Sequence, residues 1–198
     1  MDDWLDSTST DKTGADRSPV AALDPARTAL LVIDVQHGLF QRAQPIYEAE
    51  QLLTNIHSLV ERFHQAGSTV VYIQHENAKA LQRDTPAWEL HPALHPESHD
   101  LRVYKQHGNA FKKTPLGEML NERGIITLVV TGLVTQGCVR ATCEGAFILG
   151  YRVILVEDGH SNYHKDAAEV ITEWNGKLSA SWVELSPSSG IGFRSGQT

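Results

Sequence analysis

Val129-Val130-Thr131-Gly132-Leu133-Val134-Thr135-Gln136-Gly137-Cys138-Val139-Arg140 runs from an apolar, β-branched segment through a glycine-containing turn into a stretch with helical spacing. This pattern predicts a strand handing over to a helix, with Cys138 at the junction. Val139, Cys143, Ala146 and Phe147 recur at i, i+4, i+7 and i+8 and so line one apolar helix face. Cys143 belongs to that face, whereas Cys138 lies roughly 140° round the helix at about 100° per residue. The N–H groups of a helix's first turn carry partial positive charge, which favours a thiolate and makes Cys138 a candidate nucleophile. The plainer alternative is a small buried hydrophobe, the usual fate of a cysteine.

Similar handovers flank this one. Thr28-Ala29-Leu30-Leu31-Val32-Ile33 is apolar without alternation and stops at Asp34, the pattern of a strand buried on both faces of a parallel sheet. Leu52, Ile56, Leu59, Val60 and Phe63 stripe a helix that ends at Gly67, and residues 68–74 form the next strand. Residues 77–100 hold Pro86, Pro92 and Pro96, too many for a continuous helix, and read as a lid or pocket wall. A strand over 101–104 reaches Lys105. A helix over 115–123 leads to the apolar run 125–130, and Arg152 to Val156 forms a strand closed by Glu157 and Asp158. Ala167, Val170, Ile171, Trp174 and Leu178 stripe a last helix before a strand over 181–185. Six strands alternating with helices predict an α/β fold: a three-layer, Rossmann-like sandwich around a six-stranded, mostly parallel sheet.

The 198 residues, 41% hydrophobic, suffice for one domain with a full core. Residues 1–24 are poor in apolar side chains and read as a mobile tail, leaving 25–198 as a single domain that begins at Pro25. A net charge of −7 without a basic stripe argues against nucleic acid and anionic membrane as partners. Two cysteines five residues apart form no disulfide framework, and no apolar run is long enough to span a bilayer. A soluble protein of the reducing cytoplasm is the expectation.

In open α/β sheets, ligands bind beyond the carboxyl ends of the strands. Asp34, Lys105 and Cys138 fall at three such ends, and three motifs surround them. Asp34-Val35-Gln36 closes the first strand, with Phe40 shortly after. Lys105 precedes Asn109-Ala110-Phe111 and Thr114-Pro115-Leu116. Thr131-Gly132-Leu133-Val134-Thr135 leads to Cys138-Val139, with Asp158 after the next strand. In this order and spacing the chain, over roughly residues 25–185, resembles the isochorismatase-like cysteine hydrolases, the superfamily of nicotinamidase and N-carbamoylsarcosine amidohydrolase.

The resemblance implies a catalytic triad of Asp34, Lys105 and Cys138, in which the thiolate attacks an amide carbonyl while Asp34 relays the proton. It also implies an oxyanion hole from the backbone N–H groups of Val134 and Cys138, a cis Leu133–Val134 peptide bond, and a homodimer or homotetramer. The expected activity is cleavage of a C–N bond in a small amide, carbamoyl or lactam substrate. A thiol nucleophile is not required by the alternative, hydrolysis of the isochorismate vinyl ether to release pyruvate. A third possibility is a binding protein with an idle site. A bell-shaped pH profile is expected from the paired roles of Cys138 and Asp34.

Phe40, His75, Trp88 and Tyr163 are candidate pocket residues, with packing the rival role for the aromatics. His37 stands where many relatives carry Asn or Asp. Nicotinamidases of the superfamily hold a metal through an Asp-x-His pair and further histidines, and the segment 41–47 has no such pair. His91, His95 and His99 are spaced as on a helix, but Pro92 and Pro96 interrupt it, so neither metal nor other cofactor is expected. No Gly-x-Gly-x-x-Gly follows a strand, which leaves a dinucleotide without support.

Overall fold

The computed structural model describes residues 20–194. Its first strand, β1 (Thr28–Ile33), is buried at all six positions, the reason an unalternating apolar run forms a strand here. Successive side chains of β1 point to opposite faces. Leu30 and Val32 join Val70, Tyr72, Val129 and Ile154 in one core, whereas Ala29, Leu31 and Ile33 join Val71, Ile73, Val103 and Val130 in the other. After the short α1 (His37–Phe40), α2 (Ala49–Gln65) covers the first core with Leu52, Ile56, Leu59 and Phe63. The second is covered by α3 (Leu116–Glu122), α4 (Arg140–Ile148) and α5 (Ala167–Ser179), through Leu116, Leu120, Cys143, Ala146 and Leu178.

The other strands are β2 (Thr69–His75), β3 (Leu101–Lys105), β4 (Thr127–Leu133), β5 (Arg152–Ser161) and β6 (Glu184–Ser186). They form one sheet in the order β3-β2-β1-β4-β5-β6, and every neighbouring pair is parallel. The sandwich is the expected one, with a sheet parallel throughout and not only in most of its pairs. Chain order reverses between β1 and β4, which leaves a crevice at their carboxyl ends. Among the described residues, no helix is long and apolar enough to cross a membrane.

Several boundaries differ from expectation. Order reaches further toward the N-terminus than Pro25. Leu23 is buried, its N–H donates to the Gly192 carbonyl, and its own carbonyl accepts from Arg194. A backbone partner near the C-terminus thus recruits it, while residues 1–19 of the expected tail lie outside the described residues. β5 does not close at Glu157 and Asp158 but continues to Ser161, because a register shift between Val130 and Gly132 lets pairing resume at Gly132 with His160. Phe147 is 45% exposed, not buried with Cys143. α4 ends one residue later, and the ring stacks on Trp182 instead.

Gly132 is where β1 and β4 approach too closely for a side chain. Its φ is +114°, and an added Cβ would stand 2.1 Å from the Ile33 carbonyl oxygen. Gly132→Ala is expected to destabilise the fold by roughly 3 kcal/mol or more through backbone strain and overpacking. A lowered urea midpoint would report it. An unchanged midpoint would mean that the strands can part there at no cost.

Candidate active site

Asp34 follows β1 with φ +52°, a left-handed conformation that aspartate tolerates better than most residues. The turn sends its carboxylate toward the end of β3, where Lys105 Nζ donates to Oδ2 at 2.7 Å. Both side chains are almost wholly buried, at 4% and 0% exposed. The second oxygen, Oδ1, is buried without a hydrogen-bond partner among the described residues. A pair so desolvated holds together only because each charge answers the other.

His75, the last residue of β2, sits beside this pair with Nδ1 3.4 Å from Lys105 Nζ. Burial, and then the Lys105 charge, lowers its pKa, so the ring is neutral. An Nδ1 facing an ammonium group accepts, which places the ring proton on Nε2. Gln36 fixes this strand end: its Oε1 accepts from the His75 N–H at 2.9 Å, and its Nε2 donates to the carbonyls of His75 and Trp88. The segment 77–100 is thereby fastened over the site.

Cys138 is half-buried, with Sγ within 4.8 Å of an Asp34 carboxylate oxygen and of a His75 ring nitrogen. It lies within a wide π-type turn, Thr135–Val139, and not in the first turn of an α-helix, since α4 begins at Arg140. The expectation that a helix's first turn favours the thiolate is corrected accordingly. Burial pushes the thiol up to about 12, the Asp34 charge adds to the rise, and Lys105 only partly opposes it. At neutral pH Cys138 is a thiol next to a base. The Leu133–Val134 peptide bond ahead of the turn is cis.

The motif after Lys105 has a structural explanation. The Ala110 N–H donates to Thr142 Oγ1 on α4, Thr114 Oγ1 donates to the Ala110 carbonyl, and the Asn109 side chain lies where a Cβ on Gly145 would stand. The loop that follows the lysine is therefore docked on the helix that follows the cysteine.

Sequence reasoning missed a second support. Thr135, which opens the cysteine's turn, bonds His160 Nδ1 at 2.9 Å, and His160 Nε2 bonds Asn175 Oδ1 on α5 at 2.9 Å. A neutral ring donating from Nε2 to Asn175 accepts at Nδ1 from the threonine hydroxyl. The only sequence signal was Asn175 inside an otherwise apolar helix stripe. Burial lowers the His160 pKa from 6.5 to about 4. The unfolded chain therefore takes up this proton first. The resulting stability is complete above pH 6.5 and declines as pH falls to about 4, by on the order of 3 kcal/mol. Urea unfolding across that window should show this slope, and His160→Gln should flatten it. Equal slopes in both proteins would refute the assignment.

The remaining candidates are dispersed. Trp88 is 5% exposed and packs its ring on Tyr104, Phe40 lies against His91, and Arg42 stacks over Tyr163. Phe40, Trp88 and Tyr163 share a core cluster with Val134, whereas His75 approaches the Asp34–Lys105 pair through Lys105. A cavity of about 250 Å³ is lined by Tyr47, Gln51, Asn55, Asp158 and His160, and by none of Asp34, Lys105 and Cys138.

A parallel sheet whose carboxyl ends bring a buried carboxylate–lysine pair and a cysteine thiol together defines a class of α/β proteins with a thiol-centred crevice. Residues 28–173 match the isochorismatase domain, and the chain belongs to the isochorismatase family. It is 34% identical over 158 residues to a streptothricin hydrolase of Streptomyces noursei, a match covering 79% of this chain and 63% of that protein. A second such hydrolase from that organism is 36% identical, with 53% of its length covered, so this chain spans less than two thirds of either relative. The ureidoacrylate amidohydrolase RutB of Caulobacter vibrioides is 27% identical, with 81% of this chain and 88% of that one covered. Among solved structures, a cysteine hydrolase of Pseudomonas syringae pv. phaseolicola 1448A shares the fold with a TM-score of 0.81 at 23% identity, covering 88% of this chain and 95% of that one.

Proposed function

We propose that this protein hydrolyses a C–N bond in a small amide, carbamoyl or lactam substrate through a thioester on Cys138. The observation that carries the reading is the buried Asp34–Lys105 pair with the Cys138 thiol beside it. A thiol held up to about 12 attacks only as it loses its proton, and Asp34 is the base within reach. The attack forms the S–C bond, Asp34 takes the proton, and the carbonyl oxygen becomes an oxyanion facing the N–H groups of Val134 and Cys138. Collapse expels the amine, which leaves with the proton from Asp34. Water then adds to the thioester with Asp34 again as base, returning the acid and the thiol. Lys105 holds Asp34 in position throughout, by way of the 2.7 Å contact between them.

Relatives named for hydrolysis of streptothricin and for amidohydrolysis of ureidoacrylate support a C–N bond as the target. The test is a release assay on purified protein: ammonia and new amine from small amides, ureas, lactams, streptothricin and ureidoacrylate, and pyruvate from isochorismate, with Cys138→Ala in parallel. Amine or ammonia formed by the wild type and not by the variant supports the proposal. Pyruvate formed equally by both would replace it with vinyl-ether hydrolysis.

A further inference from the structure

Away from the crevice, at the other end of β3 from Lys105, a second group of ionisable side chains converges. His64 comes from the last turn of α2; Glu97, His99 and Asp100 come from the segment entering β3. His64 Nε2 lies 2.9 Å from Asp100 Oδ1, and His64 Nδ1 lies 3.0 Å from Glu97 Oε1. His99 reaches the same two carboxylates, with Nδ1 3.4 Å from Glu97 Oε2 and Nε2 4.0 Å from Asp100 Oδ1. One nitrogen from each histidine and one oxygen of Asp100 all lie within 4.8 Å of one another. The Asp100 side chain is wholly buried, and its Oδ2 is held by the Glu97 N–H at 2.7 Å, so this carboxylate is preset in orientation.

A second observation points to the same place from beneath. The Tyr72 hydroxyl on β2 is buried and has no hydrogen-bond partner among the described residues. Burial chiefly raises its pKa, and the charges of Asp100 and Glu97 add to the rise, which sets the hydroxyl in the electrostatic reach of the cluster. A buried hydroxyl without a protein partner among the described residues, within the field of the Asp100 and Glu97 carboxylates, leaves a hydrogen bond to be made by a water or an ion-bound group.

We propose that His64, His99 and Asp100, with Glu97 beside them, bind a divalent ion of the zinc type that clips α2 to the start of β3. Two imidazoles and a carboxylate suit zinc, which takes nitrogen at about 2.0–2.1 Å and carboxylate oxygen at about 2.0–2.2 Å. Glu97 or a water fills the fourth position, and a water there gives the Tyr72 hydroxyl its partner. The ion draws the exposed His99 inward and fastens the segment that delivers β3 into the sheet. This departs from the sequence expectation of no metal, and the reason is spatial. His91, His95 and His99 do not act together: their rings face Phe40, His57 and His64 respectively. The ligand set instead joins residues 36 positions apart.

The test is calorimetric titration of zinc chloride into the metal-free full chain, with thermal unfolding at matched zinc. The variants are His99→Ala, Asp100→Asn and Cys138→Ala. His99 is 62% exposed, so its removal leaves the fold in place. One zinc per chain is expected in the wild type and in Cys138→Ala, with at least tenfold weaker binding in His99→Ala and Asp100→Asn. Zinc should raise the unfolding midpoint of the wild type but not of His99→Ala. Absence of zinc binding by the wild type overturns the proposal. So does binding that survives His99→Ala but is lost in Cys138→Ala, which would place the ion in the hydrolase crevice.

Discussion

Cys138→Ala is expected to lower turnover by on the order of 10⁴-fold or more while leaving the folded state intact, because the variant removes the atom that forms the proposed covalent intermediate. The site surrounding Cys138 is built by the backbone of the Thr135–Val139 turn and by the Asp34–Lys105 pair, neither of which depends on the sulfur. Substrate binding should therefore persist in the variant, separating loss of chemistry from loss of fit. Rapid quenching of the wild type followed by intact-mass measurement should show one acyl adduct, absent from Cys138→Ala. Residual turnover of the variant within tenfold of wild type would remove the thioester from the mechanism.

The second large effect belongs to Lys105. Lys105→Met fills the same volume but leaves the Asp34 carboxylate buried without its cation, and the loss of stability should be about 3–5 kcal/mol. Adding Asp34→Asn neutralises the stranded charge, so the double variant should recover most of that stability. Activity should not return, because the proposed base is gone. Urea unfolding and steady-state assays on the two single variants and the double variant complete the cycle. If the double variant is no more stable than Lys105→Met, the pair is not the electrostatic unit that its 2.7 Å contact describes.

The sheet was legible because burial on both faces leaves a plain mark: Leu30 and Leu31 are equally apolar although they enter different cores. The convergence of Asp34, Lys105 and Cys138 was legible because apolar runs stop at strand ends: Asp34 follows β1, Lys105 closes β3, and Cys138 stands in the turn after β4. Other features depend on contacts that no local pattern encodes. Leu23 is ordered by backbone partners at the far end of the chain, and β5 continues past its charged residues because Gly132 and His160 pair across a bulge. Helical spacing placed Cys138 at a helix start, but it could not show the wide turn or the burial that raises the thiol pKa. The Thr135–His160–Asn175 link joins three elements whose polar residues look ordinary one at a time.

The protonated state of Cys138 reaches beyond the reaction. Thiolates, not thiols, attack peroxide and disulfides, and a thiol held up to about 12 presents almost none at neutral pH. The cysteine at rest is thus expected to react slowly with peroxide, unlike the low-pKa cysteines that sense oxidants. In the proposed mechanism reactivity is released only as the sulfur attacks a bound carbonyl carbon and Asp34 takes its proton. The burial that makes the nucleophile weak at rest also keeps it from being spent on the wrong electrophile.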